Sequence, residues 1–128
     1  MVEGLTALVI DDEEAIGGLL VDILAMKNVS ATFVPTTREG IALINEGIRY
    51  NFVFTDLYRH QPNGLEVYRL ASSKGMDAHI MTGGPPGGED PQLLSDAERE
   101  THDGVIMKPF RIADILGLVD QYITQQKP

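Results

Sequence analysis

Short apolar, β-branched runs alternate along this chain with longer stretches of helical spacing, and that alternation limits the fold more than any other feature. LTALVI, SATFVP, NFVFT, AHIMT and GVIM read as strands. EAIGGLLVDILAM, REGIALINEGI, GLEVYRLASSK, PQLLSDAERE and RIADILGLVDQYI read as the helices that follow them. Strand followed by helix, five times over, is the pattern of βα units wound around a parallel sheet. The first helix carries Ile16, Leu19, Leu20, Ile23 and Leu24 on one face, and the last carries Ile112, Ile115, Leu116, Val119 and Ile123 at helical intervals. The fourth has only Leu93, Leu94 and Ala97 as an apolar face. GGPPGGED, from Gly83 to Asp90, is too short for an interdomain linker and reads as a mobile loop. Residues 1–128 therefore read as a single domain, and a hydrophobic content of 43% is enough to fill one core.

Composition narrows the chemistry. The chain has no cysteine, which removes thiolate catalysis and cysteine-ligated zinc and makes a reducing cytoplasm the expected setting. No apolar run approaches the roughly 20 residues that span a bilayer, so no membrane partner is expected, nor is a secretory leader. A net charge of −9 repels phosphate backbones, so direct nucleic-acid binding by this chain is not expected. A cation or a basic surface is the better match.

In doubly wound sheets ligands bind where the carboxyl ends of the strands meet the loops. Here the first strand ends in Asp11, Asp12 and Glu13, the third in Asp56, the fourth in Thr82 and the fifth in Lys108 before Pro109. If every strand is parallel, carboxylates, a hydroxyl and an ammonium converge on one edge. Clustered aspartates repel unless a cation offsets them, and magnesium prefers a few carboxylate oxygens with no His or Cys. With such an ion in place, Asp56 is placed to act as a nucleophile toward a phosphoryl group, with Lys108 and Thr82 on other oxygens of that group. Plainer readings stay open residue by residue: Asp12 as a helix cap, Asp56 as the opening of a turn, Thr82 as a strand-end residue and Lys108 as a solvated charge. His79 reads as a core or edge residue, and His60 and His102 as loop residues.

The pieces LVIDDEE, FVFTDL with Gly64 after it, IMTGG and MKPF resemble the receiver domain of two-component response regulators, over nearly the whole chain from Leu5 to about Ile123. The resemblance implies a flavodoxin-like (βα)5 three-layer sandwich whose parallel five-stranded sheet has the order 2-1-3-4-5. It also implies that Asp56 is the phosphoacceptor and that Mg2+ is held by Asp11, Asp12, Asp56 and the backbone carbonyl of Tyr58. Thr82 and Lys108 would contact the phosphoryl group. The implied donor is a histidine kinase or a histidine phosphotransfer protein. The implied activity is confined to phosphorylation and dephosphorylation of the domain's own aspartate, read by a downstream protein or an attached output domain. A stand-alone or isolated receiver is the preferred expectation.

The chain departs from the family pattern in three places. Arg59 and His60 stand where Met-Pro is frequent, Val105 stands where an aromatic switch residue is usual, and the Gly83–Asp90 segment is longer and richer in glycine. Tyr58 is expected to shield an acyl phosphate from water, and Gly83 to Gly88 to order on activation. Three competing readings are a pseudo-receiver that binds partners without phosphorylation, a phosphohydrolase of the haloacid dehalogenase type, and a nucleotide or flavin binder. The second requires an acid two positions after the nucleophile, where Tyr58 stands. The third requires a phosphate-cradling loop, where DDEEAIGG supplies four acids.

Overall fold

A computed structural model describes residues 4–58, 61–83 and 90–126. Strands and helices alternate as β1 (Leu5–Ile10), α1 (Glu14–Ala25), β2 (Val29–Val34), α2 (Thr37–Asn45), β3 (Phe52–Asp56), α3 (Gly64–Ser73), β4 (Asp77–Thr82), α4 (Pro91–Glu100), β5 (Ile106–Met107) and α5 (Ile112–Gln126). The strands form one sheet in the order β2-β1-β3-β4-β5, every pairing parallel. The order reverses its direction at β1 and β3, and the crevice beyond their carboxyl ends is where such folds bind ligands.

Successive strand residues face opposite sides, so the sheet is a partition with a core on each face. Ala7, Val9, Phe52 and Phe54 pack with Leu20, Ile23 and Leu24 of α1 and Ile115 and Val119 of α5. Leu8, Ile10 and Val53 pack on the other face with Ile44 of α2 and Val67 and Ala71 of α3. Strands covered on both faces need continuous apolar runs, and β3 is buried at all five of its positions. A third cluster lies beneath α4: Leu57, Tyr58, Leu65, Ile80 and Ala97, with Leu93, Leu94 and Val105 half-buried against it.

Local chemistry sets the boundaries. Pro35 has no N–H to give to a ladder, so β2 stops at Val34. Gly47, at φ +89°, ends α2 short of the Ile48 that its apolar spacing suggested. The run GVIM suggests a four-residue fifth strand, but pairing extends only over Ile106–Met107, because Gly104, at φ +81°, turns the chain just before it. Two positions counted on apolar faces, Leu19 and Ile112, are 44% and 49% exposed and lie outside the core. The Gly83–Gly88 expectation falls largely outside the described residues, as does His60.

Candidate functional site at the carboxyl edge of the sheet

β1 delivers Asp11 to this edge with its carboxylate fully buried. One oxygen accepts the backbone N–H of Glu13 at 2.9 Å, and the other accepts Lys108 Nζ at 2.8 Å. Asp11 is thus pinned by two donors and in turn holds the lysine. Asp12, the next residue, is exposed. It is not the cap of α1: the N-cap is Glu13, and its side chain makes no capping bond. The plainest alternative for Asp12 therefore does not apply in this structure.

Asp56 is the last residue of β3 and is only 7% exposed. Its Oδ1 lies 3.2 Å from Lys108 Nζ. Burial, only partly offset by Lys108 and reinforced by the negative charge of Asp11 and Asp12, raises its pKa from 3.8 to about 6. Burial alone would lower the Lys108 pKa, but the hydrogen bond and charge of Asp11, together with Asp56, outweigh it and raise the value above the ordinary lysine figure. Carboxylate oxygens of Asp11, Asp12 and Asp56 all lie within 4.8 Å of one another. That is an all-oxygen donor set of the kind a hard divalent cation takes, with no imidazole or thiolate in it.

Lys108 reaches this cluster from the edge strand. Its backbone N–H donates to the carbonyl of Thr82 at 2.9 Å, which aligns the end of β5 with the end of β4. The peptide from Lys108 to Pro109 is cis. Thr82 is buried and sits one residue beyond Met81, the β4 partner of Asp56. The structure thus gathers Asp11, Asp12, Asp56 and Lys108 within contact range and puts Thr82 on the adjacent strand end. Glu13, not singled out as a site residue, stands 3.9 Å from Lys108 Nζ.

Two residues near the site make contacts that the sequence does not reveal. Gly64 begins α3 directly against the chain that leaves β3: its N–H donates to Leu57 at 3.1 Å, and a Cβ there would fall on the carbonyl of Asp56. The sequence signal was NGLE, whose Asn63 and Glu66 form a capping box that draws α3 up to this point. Tyr58 is buried in the cluster beneath α4, and its hydroxyl donates to the carbonyl of Asp90 at 3.1 Å. The side chain expected to shield the site therefore also fastens a helix.

His79 is 3% exposed, with Nε2 3.1 Å from Asp77 Oδ2 and its ring stacked on Phe54. His102 is exposed and donates its backbone N–H to Tyr68 Oη at 3.4 Å. Among the described residues no helix is long and apolar enough to cross a membrane.

No protein-family model matches the chain, and no curated protein sequence matches it significantly. Solved structures do. A CheY-like response regulator receiver domain protein from Methanospirillum hungatei superposes with a TM-score of 0.80 at 24% identity, covering 97% of each chain. A two-component response regulator from Clostridium difficile gives 0.78 at 17% identity, over 97% of this chain and 99% of that one. The fold is that of response regulator receiver domains. A further neighbour with the receiver fold, the beryllofluoride-activated NtrC4 receiver domain, gives 0.75 at 20% identity over 95% and 98% of the two chains. The expected α/β sandwich and its 2-1-3-4-5 strand order are both found. The reversal of strand order lies between β1 and β3, and the carboxyl ends of these two strands bring the three carboxylates together.

Proposed function

We propose that this chain is a phosphoacceptor receiver domain that takes a phosphoryl group from a phosphohistidine donor onto Asp56 and thereby changes what it binds. The observation that carries this reading is the cluster itself: Asp56 at the strand end, within 4.8 Å of the Asp11 and Asp12 carboxylate oxygens and 3.2 Å from Lys108 Nζ. The oxygen-only donor set fits Mg2+, with Asp11, Asp12, Asp56 and the backbone carbonyl of Tyr58 as its ligands. The ion supplies charge neutralisation at the phosphoryl oxygens.

The residues divide the remaining work. A carboxylate oxygen of Asp56 attacks phosphorus; the P–N bond to the donor imidazole breaks as the P–O bond forms, and the imidazole leaves and takes a proton. Lys108, held by Asp11, is positioned to transfer its contact from Asp56 to a phosphoryl oxygen. Thr82 offers a hydroxyl from the next strand. Hydrolysis of the acyl phosphate later restores the carboxylate. The donor on this reading is a histidine kinase or histidine phosphotransfer protein, the setting is the cytoplasm, and residues 1–128 act as one domain.

Intact mass after incubation with acetyl phosphate tests the proposal. A base-labile adduct of about 80 Da is expected, dependent on Mg2+, abolished by chelator and missing in Asp56→Asn. A folded wild-type protein that takes up no phosphoryl group under any of these conditions would remove the reading.

A further inference from the structure

The Tyr58–Asp90 hydrogen bond is a direct line from the acceptor segment to α4. Leu57, next after Asp56, is fixed on both sides: its N–H donates to Met81 at 3.1 Å and its carbonyl accepts from Gly64 at 3.1 Å. The chain therefore leaves β3 on a held backbone, with Leu57 packed in the cluster beneath α4 and Tyr58 next after it making a hydrogen bond to another element. It reaches the N-cap of α4. Asp90 receives the Tyr58 hydroxyl on its carbonyl, while its own side chain accepts the N–H of Gln92 at 2.9 Å.

What else holds α4 makes that bond matter. Ala97 is its one buried residue, with Leu93 and Leu94 half-buried beside it. Its carboxyl end is tied by the exposed Arg69–Glu100 ion pair and by the bond from His102 N–H to Tyr68. Exposed ion pairs contribute little. Helices held by little apolar burial open at low free-energy cost, so one partly buried hydrogen bond at the first turn is a large share of what keeps that turn in place. Val105, the aliphatic residue just before β5 in the same cluster, offers no polar group for such a tie.

We propose that Tyr58 is a positioning residue that couples Asp56 to α4, so that a phosphoryl group on Asp56 alters how firmly the first turn of α4 is held. The coupling rests on the phosphoacceptor reading above. A phosphoryl group adds charge and volume at Asp56, two residues before Tyr58. A displacement of the Leu57–Tyr58 backbone is passed through the ring to the Asp90 carbonyl and hence to the amides that Asp90 caps. Both sites then bias one element, the condition for physical coupling.

Amide hydrogen exchange over Pro91–Glu100, measured on wild type and Tyr58→Phe with and without acetyl phosphate and Mg2+, tests this, with intact mass giving the adduct fraction to which each rate is normalised. Phe keeps the ring and its packing but not the hydroxyl. Without phosphate, exchange at Gln92 to Ser95 is expected to be about fivefold faster in the variant, the factor that one ordinary hydrogen bond supplies. Per phosphorylated molecule, the wild type is expected to change its exchange in this turn and the variant to lose most of that response. An equal response in the two proteins, no response in the wild type, or unaltered exchange in the unmodified variant overturns the coupling. Absence of any adduct in the wild type overturns the phosphoacceptor reading as well, and the mass measurement tells the two failures apart.

Discussion

The β1–β3 half of the molecule and the β4–β5 half contribute to one site on very different foundations. Asp11 and Asp56 extend from strands buried along the sheet's centre, with α1 and α5 on one face and α2 and α3 on the other. Lys108 extends from a two-residue edge strand beside a helix with one buried residue. Carboxylates that repel one another need a rigid mount, and buried parallel strands provide it. The element placed to respond to a change at those carboxylates is the one with little burial to lose.

The comparison is sharpened most by truncating the two halves in turn. Leu24→Ala, in the fully buried face of α1, is expected to cost about 3 kcal/mol in urea unfolding, whereas Leu93→Ala, half-buried on α4, is expected to cost about 1 kcal/mol or less. Equal losses would erase the distinction.

Asp56→Asn gives the next largest effect, and pH sets its size. Burial raises the Asp56 pKa from 3.8 to about 6, so the folded state favours the protonated acid. That favourable contribution is present below pH 3.8, declines as the pH rises through 6, and above it the ionised carboxylate weighs against the fold. In chelator at pH 7.5 the variant is expected to be more stable than wild type by about 2 kcal/mol. The difference should shrink toward zero as the pH falls to about 4. Denaturation midpoints at four pH values would show it, and a pH-independent difference would refute the burial account.

Mg2+ acts in the opposite sense. If the cluster takes the ion as proposed, adding it to the wild type is expected to raise the melting temperature, because binding would favour the folded state alone. The rise should be largely lost in Asp12→Asn, in which an exposed carboxylate of the cluster is removed without disturbing the core. The smallest effect is at the carboxyl end of α4. Arg69→Ala breaks the exposed pair with Glu100 and is expected to leave the unfolding midpoint unmoved, with any residual effect vanishing in high salt.

Much of the fold was legible because its buried strands leave an unambiguous apolar signature, and because strand ends in a parallel sheet must share an edge. That logic points to Asp11, Asp12, Asp56, Thr82 and Lys108 from the sequence alone. The roles proposed for them toward metal and phosphate rest on resemblance and on the geometry of the cluster together. What sequence could not supply were contacts between segments distant in the chain. Tyr58 gave no hint that its hydroxyl would find a carbonyl 32 residues on. Gly64 looked like an ordinary helix start, since the backbone it must clear belongs to another element. The fifth strand was overextended because Val105 is apolar enough for a strand yet serves the cluster beneath α4.

The most direct test is to locate the modified residue. Wild-type protein treated with acetyl phosphate and Mg2+, then reduced with borohydride to convert an aspartyl phosphate to homoserine, would be digested and sequenced by mass. Homoserine at position 56 alone, with Asp11 and Asp12 intact, is the expected result. Homoserine at position 11 or 12, or none anywhere in a protein shown to be folded, would contradict the proposed site, in which Asp56 alone of the three carboxylates reacts.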